Sequence, residues 1–353
     1  MLKARKCVRE LHAYHSPLSA GPLKLRLDMN ESTTGCSSRV LAKMKSMDAR
    51  TIALYPPREP GEKLVADFLG LQPEQVLLTN GADEGIDLLC RAFLEPDDEV
   101  VIILPAFAMY KVFAQAAGAR VIGVPCGDDF VFPLTGVLKA INPRTRLIVI
   151  TNPNNPTGIA ADRADILKIL EAAPDAAVLV DEAYFDFYGK TVADQIGQIP
   201  NLFIARTFSK AYGLAGLRLG ILAGTAEQVA DVRRVCGPFN VNAFALDCLA
   251  EALADQQFIT TYVDQVRKSR EWLRRELELL GLKCWPSETN FLLVRFGDSK
   301  PAMLAALRAR GIALRDRPDC AGCVRIAIGT QPEMEFLISE LKQVLPEVKQ
   351  VNN

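Results

Sequence analysis

From about residue 60 to residue 207 the chain repeats one pattern. A short run of Val, Ile and Leu is closed by a turn and followed by a stretch whose apolar residues recur every three or four positions. The runs at 76–79, 99–104, 120–125, 147–151, 177–181 and 202–207 read as strands, and 84–93 and 163–172 carry the helical spacing. Strands that are apolar on both faces and alternate with helices predict a mostly parallel sheet with helices on both sides. After about residue 240 the texture changes. A helical pattern at 256–280 stops at Gly281, and then come a strand at 290–296, a helix at 301–310, short strands at 312–315 and 324–328 and a final helix. That reads as a smaller α/β domain. At roughly 150 residues per domain, 353 residues suggest about two. We therefore divide the chain into an N-terminal arm at 1–27, a large domain at 28–243 and a small domain at 244–353.

Charge and composition remove several functions. With 41 basic against 42 acidic residues and a net charge of -1, there is little reason to expect nucleic acid or an anionic membrane as a partner. The only histidines are His12 and His15, so a histidine-built triad or zinc site would have to draw on the N-terminal stretch, and no metal site is expected. Nine cysteines are scattered apart from the pair Cys320 and Cys323, which reads as reduced thiols rather than a disulfide framework or half a zinc site. The N-terminus lacks the apolar core of a signal peptide, and the longest apolar run, 100–110, is broken by Pro105. The expected location is the cytoplasm, where the sequon Asn30-Glu31-Ser32 is a chance match.

Two familiar phosphate motifs fail. Gly189-Lys190-Thr191 looks like the end of a P-loop, but Tyr184 stands where its first glycine is required. Gly213, Gly216 and Gly220 do not fit the dinucleotide fingerprint. Other segments do look chemical, because each follows a buried strand directly, where open α/β sheets bind ligands. Asn152-Pro153-Asn154-Asn155-Pro156-Thr157-Gly158 follows one strand, and the next ends in Asp181-Glu182-Ala183-Tyr184. A buried carboxylate such as Asp181 needs a cationic partner, either a protein base or a protonated ring nitrogen on a cofactor. The strand after that leads into Thr207-Phe208-Ser209-Lys210, where the lysine is either a solvated surface group or, if partly desolvated, a nucleophile or base near neutral pH. Thr207, Ser209 and Arg218 suit a phosphate dianion, as do the backbone N–H groups of Ala82 and Asp83 where a strand enters a helix.

The four segments Asn155-Pro156-Thr157-Gly158, Asp181-Glu182-Ala183-Tyr184, Ser209-Lys210 and Arg218, in this order, resemble the fold-type-I, pyridoxal-phosphate-dependent aminotransferases of class I/II. The likeness covers nearly the whole chain. Within that group it looks most like the histidinol-phosphate aminotransferase subfamily. The segments that carry this are Tyr55-Pro56, Gly81-Ala82-Asp83-Glu84-Gly85, Ser287-Glu288-Thr289-Asn290-Phe291, Leu314-Arg315-Asp316 and Val324-Arg325-Ile326. The resemblance implies an α/β fold in three layers, a mostly parallel seven-stranded sheet in the large domain beside a smaller α/β domain. It also implies a reaction: transamination of L-histidinol phosphate with 2-oxoglutarate, giving imidazole acetol phosphate and L-glutamate in histidine biosynthesis. The nearest alternatives are an aromatic-amino-acid aminotransferase and, further off, a phosphothreonine decarboxylase.

The same resemblance implies roles. Lys210 would form the Schiff base with pyridoxal 5'-phosphate and, once released, move the proton between substrate Cα and cofactor C4′, work that elsewhere falls to histidine. Asp181 would pair with the pyridine nitrogen, Asn155 and Tyr184 with the phenolic oxygen, and Phe107 would stack on the ring where the family usually has Tyr. Thr207, Ser209, Arg218 and the backbone at Ala82 and Asp83 would hold the cofactor phosphate. Tyr55 would reach that phosphate from a second copy, so a homodimer with shared sites is implied. Arg325 and Arg315 would take the substrate anions, and Tyr14, Asn30 and Asn290 would complete the substrate end under an N-terminal lid.

Overall fold

The computed structural model describes residues 2–11 and 23–351. His12, His15 and Tyr14, with its expected substrate contact, lie outside the described residues. In chain order the strands are β1 (Leu25–Leu27), β2 (Val76–Asn80), β3 (Glu99–Leu104), β4 (Arg120–Pro125), β5 (Thr145–Thr151) and β6 (Ala177–Asp181). They continue with β7 (Leu202–Thr207), β8 (Leu219–Ala223), β9 (Lys283–Cys284), β10 (Phe291–Arg295), β11 (Ile312–Arg317) and β12 (Cys323–Ala327).

Seven strands form the larger sheet in the order β2-β8-β7-β6-β5-β3-β4. Every neighbouring pair from β7 through β6, β5 and β3 to β4 is parallel, while β8 runs antiparallel to both β2 and β7. Strand side chains alternate faces, and here both faces are buried. In β3, Val100 and Ile102 enter one apolar cluster while Val101 and Ile103 enter another on the opposite face. The continuous apolar runs in the sequence are the direct result.

β8 was not among the strands expected from sequence. Its five residues contain Gly220, which interrupts the unbroken apolar run that marks the other strands. The glycine is required by packing, because a Cβ on Gly220 would lie 2.5 Å from the carbonyl carbon of Gly81 and 2.6 Å from the nitrogen of Ala82.

The second sheet has the order β1-β11-β12-β10-β9. The segment read as an arm thus supplies a strand: Leu25–Leu27 pairs in parallel with Ile312, Ala313 and Leu314 of β11. Behind this sheet lie helices Gln256–Leu279, Lys300–Ala309 and Gln331–Val351, whose buried Leu273, Leu307 and Leu341 share one apolar cluster with Phe291 and Ile326 of the sheet. No helix among the described residues is long and apolar enough to cross a membrane.

Candidate active site

The carboxyl ends of β5, β6 and β7 open into a cleft of about 520 Å³, which β11 and β12 close from the other side. Parallel strands that end together bring chemistry from distant parts of the chain to one edge. Lys210, Asp181, Tyr184, Asn155, Thr207 and Ser209 all line the cleft. So do Ala82, Asp83, Phe107, Arg218, Asn30, Arg315 and Arg325.

Asp181 ends β6 and is 4% exposed. Its Oδ2 accepts a hydrogen bond from the Tyr110 hydroxyl at 2.6 Å, and its Oδ1 accepts one from the Ala183 N–H at 3.0 Å. Burial pushes the carboxyl up to about 6 against these two donors. No lysine or arginine among the described residues lies within ion-pair distance. Of the two partners open at the sequence level, a protein base is therefore not the one found. A buried carboxylate with donors but no cation suits a protonated ring nitrogen brought by a cofactor.

Lys210 stands just past β7, and its Nζ donates to the carbonyl of Met29 at 3.1 Å. Burial first, and the positive charge of Arg325 second, lower this amine to about 8. Near neutral pH a useful fraction is uncharged and nucleophilic. Tyr184 is buried, its hydroxyl accepts from Asn30 Nδ2 at 3.0 Å, and burial raises its pKa. Asn30 has a left-handed backbone (φ 53°), and its Oδ1 is buried without a hydrogen-bond partner among the described residues.

One end of the cleft is a phosphate-sized cradle. Helix Gly81–Phe93 begins there, so the N–H groups of Ala82 and Asp83 are among its unpaired first-turn donors. Thr207 Oγ1 lies 3.0 Å from Ser209 Oγ, and Arg218 contacts both Ser209 Oγ (3.5 Å) and Asp83 Oδ2 (3.2 Å). Gly81 (φ +76°) takes a backbone conformation that strains any side chain, and a Cβ there would also push aside the Arg218 guanidinium. The guanidinium, the two hydroxyls and the helix-start N–H groups are the donors an anion at this end would need.

The opposite end is also cationic. Arg315 and Arg325 face each other across the antiparallel pair β11–β12. Like charges directly opposite on a sheet repel, so the arrangement favours an anion between them. Arg325 is 6% exposed and is aimed by Asn155 Oδ1 and the Asp28 carbonyl, each at 2.7 Å. Phe107 caps helix Ala108–Ala117 and meets Tyr110 edge-on at 5.6 Å.

Two expected residues sit elsewhere. Asn290 is fully buried behind the cleft wall, where its Nδ2 holds the Asn30 carbonyl at 3.0 Å. Tyr55 is 78% exposed, stacked on Phe239 outside the chain's own cleft. Sequence reasoning missed Tyr110 and Arg317. Arg317 is two residues past Arg315 on the same strand face and lines the cleft, a spacing that could have revealed it. The Gly189-Lys190-Thr191 turn is not phosphate-binding in form; Thr191 Oγ1 braces the buried Glu182, which pairs with Arg206 at 2.7 Å. Cys320 and Cys323 are free, buried thiols beside Trp285, and burial raises the pKa of both. No cluster of metal-ligating side chains occurs among the described residues.

Residues 22–341 match the model of the aminotransferase class I and II family. The histidinol-phosphate aminotransferase of Thermoanaerobacter pseudethanolicus is 34% identical over 332 residues, covering 92% of this chain and 94% of that protein. The enzyme of the same name from a Geobacillus species is 36% identical over 336 residues, with 92% and 90% covered. Among solved structures, histidinol-phosphate aminotransferase from Sinorhizobium meliloti in complex with pyridoxal-5'-phosphate superposes with a TM-score of 0.90. It is 24% identical, and 99% of each chain is covered.

Proposed function

The chain belongs to the aminotransferase class I and II family, and from that premise we propose that it transfers the amino group of L-histidinol phosphate to 2-oxoglutarate. The cofactor is pyridoxal 5'-phosphate. The observation that carries the substrate class is the opposed pair Arg315 and Arg325 on the wall facing Lys210. Histidinol phosphate has no α-carboxylate, so its phosphate is the anion this pair would grip. A 2-oxo acid presents a carboxylate to the same guanidiniums in the second half-reaction, and arginine's fork geometry suits either.

When bound, the cofactor supplies a reactive aldehyde carbon and a protonated ring that draws electrons from the substrate's α carbon. The chain's own residues do the rest. Lys210 Nζ would hold the cofactor covalently and, once the substrate amine has displaced it, would be free as the base that carries the proton between Cα and C4′. Asp181 would keep the ring nitrogen protonated, Tyr184 and the Asn155 amide would hold the phenolic oxygen, and Phe107 would pack against the ring. Thr207, Ser209, Arg218 and the helix start at Ala82 and Asp83 anchor the cofactor phosphate. Asn30 borders the substrate, held in place by Asn290.

The segment 28–243 then serves as the cofactor-binding unit and 244–353 as the smaller unit that brings the substrate arginines. Tyr55 completes the phosphate cradle of a second copy in a homodimer, and the enzyme works in the cytoplasm. An amino-donor screen with 2-oxoglutarate tests the substrate assignment. Histidinol phosphate should outpace phenylalanine, tyrosine and histidine, whereas equal or faster turnover of an aromatic amino acid would overturn it. Carbon dioxide release from phosphothreonine would instead reveal a decarboxylase.

A further inference from the structure

We propose that Tyr110 is a positioning residue for the reaction: its phenol, itself held by Thr151, keeps Asp181 ionised and turned toward the cofactor ring. The inference rests on the functional reading above and goes beyond it, because Tyr110 belongs to none of the segments that carry the family resemblance.

Tyr110 lies one helical turn past Phe107 and is 2% exposed. Its hydroxyl accepts a hydrogen bond from Thr151 Oγ1 at 2.9 Å and donates to Asp181 Oδ2 at 2.6 Å. A phenol has one hydrogen to give. With Thr151 supplying a hydrogen to its oxygen, that one hydrogen is committed to the carboxylate, and each bond in such a chain polarises the next. Burial and the neighbouring Asp181 raise the pKa of Tyr110 well above its usual value, so the group stays a donor at any working pH.

The consequence falls on Asp181. Its two oxygens receive one hydrogen bond each, from Tyr110 and from the Ala183 N–H, which fixes the plane of the carboxylate. Among the described residues these two donors favour the charged form, and burial works against it more strongly. Remove the phenol and the balance moves toward the neutral acid. A neutral carboxyl would no longer draw the proton onto a facing pyridine nitrogen, and the ring would lose its capacity to take electrons from the substrate. Phe107 places no hydroxyl on this side of the cleft. Tyr110 supplies one from the next turn and spends it on the carboxylate.

Tyr110→Phe isolates the hydroxyl, since the ring and its packing remain. Holoenzyme loaded with ring-15N-labelled pyridoxal 5'-phosphate reports the protonation of the pyridine nitrogen directly. The unsubstituted enzyme should show a protonated ring near pH 7.5. Tyr110→Phe should move the 15N signal toward the unprotonated position, with kcat lower by roughly tenfold to a hundredfold and KM changed by less than about threefold. Thr151→Val should shift the signal the same way by less. A loaded Tyr110→Phe enzyme whose ring signal is unchanged overturns the inference and leaves the functional reading intact. Should Tyr110→Phe fail to fold, an unchanged signal in Thr151→Val overturns it instead. A natural-sequence protein that retains no cofactor overturns both.

Discussion

Burial moves the pKa of both Lys210 and Asp181 away from its ordinary value, and the two shifts are measurable in different ways. An amine lowered to about 8 is half uncharged at that pH, and only the uncharged form attacks a carbonyl carbon. The rate at which cofactor-free protein recombines with pyridoxal 5'-phosphate should therefore rise between pH 7 and 9 with a midpoint near 8. A midpoint above pH 10 would mean an ordinary solvated lysine. For Asp181 the sign is opposite. Its folded value of about 6 exceeds its ordinary 3.8, so the fold keeps a proton that the unfolded chain has already lost between these two values. Without cofactor, stability falls as pH rises through that window, and the full cost, on the order of 3 kcal/mol, is present above it. Asp181→Asn should then raise the melting temperature of the cofactor-free protein at pH 7.5, leave it nearly unchanged at pH 3.5, and abolish turnover. An equal loss of stability at both pH values would show that the carboxylate serves the fold rather than the cofactor.

At the scale of elements, the cofactor-phosphate end depends on how closely β8 approaches the start of helix Gly81–Phe93. The Cβ of Gly220→Ala would meet backbone at 2.5 and 2.6 Å, and backbone cannot swing aside as a side-chain tip can. The strand and the helix start must separate, at a cost of roughly 1–3 kcal/mol. That separation should weaken cofactor retention in equilibrium dialysis more than it lowers the melting temperature of the cofactor-free protein. Unchanged retention would show that the helix start does not hold the phosphate. The same contact explains what the sequence could and could not convey. β3, β5, β6 and β7 were readable because burial on both faces demands unbroken Val, Ile and Leu, and several residues that line the cleft stand where those runs stop. β8 was hidden by the glycine its packing requires, and three-residue β1 is too short to show a period. Tyr110 looked like any aromatic on a helix, because only the fold brings it to Asp181, 71 positions away. Asn290 sits in a segment that resembles the family, yet its fully buried side chain acts on Asn30 from behind.

For the whole molecule, the exposed apolar surface around Tyr55 bears on how many chains make a working site. Tyr55 (78% exposed) stacks on Phe239 (53%), and Ile52 (66%) and Leu54 (58%) lie beside it in sequence. Large side chains grouped in this way mark an interface more often than a solvated face. The phenol of Tyr55 does not enter its own chain's cleft, although the family resemblance gives it a cofactor-phosphate contact. Both facts are met if it enters the cleft of a second copy across a two-fold axis. Two inactive variants can then repair each other. A Lys210→Ala chain brings an intact Tyr55, and a Tyr55→Ala chain brings an intact Lys210. When the two are unfolded together and refolded as an equal mixture, about half of the dimers contain one chain of each kind, and each of these has one of its two clefts complete. The mixture should regain about a quarter of the natural turnover, while Lys210→Ala alone stays inactive and Tyr55→Ala alone loses cofactor on dialysis. Phe239→Asp, which puts a charge into the same patch, should elute as a monomer and retain little activity. If the mixture gives no more than the average of its two parents at any ratio, each cleft is complete within its own chain, and the apolar patch has another use.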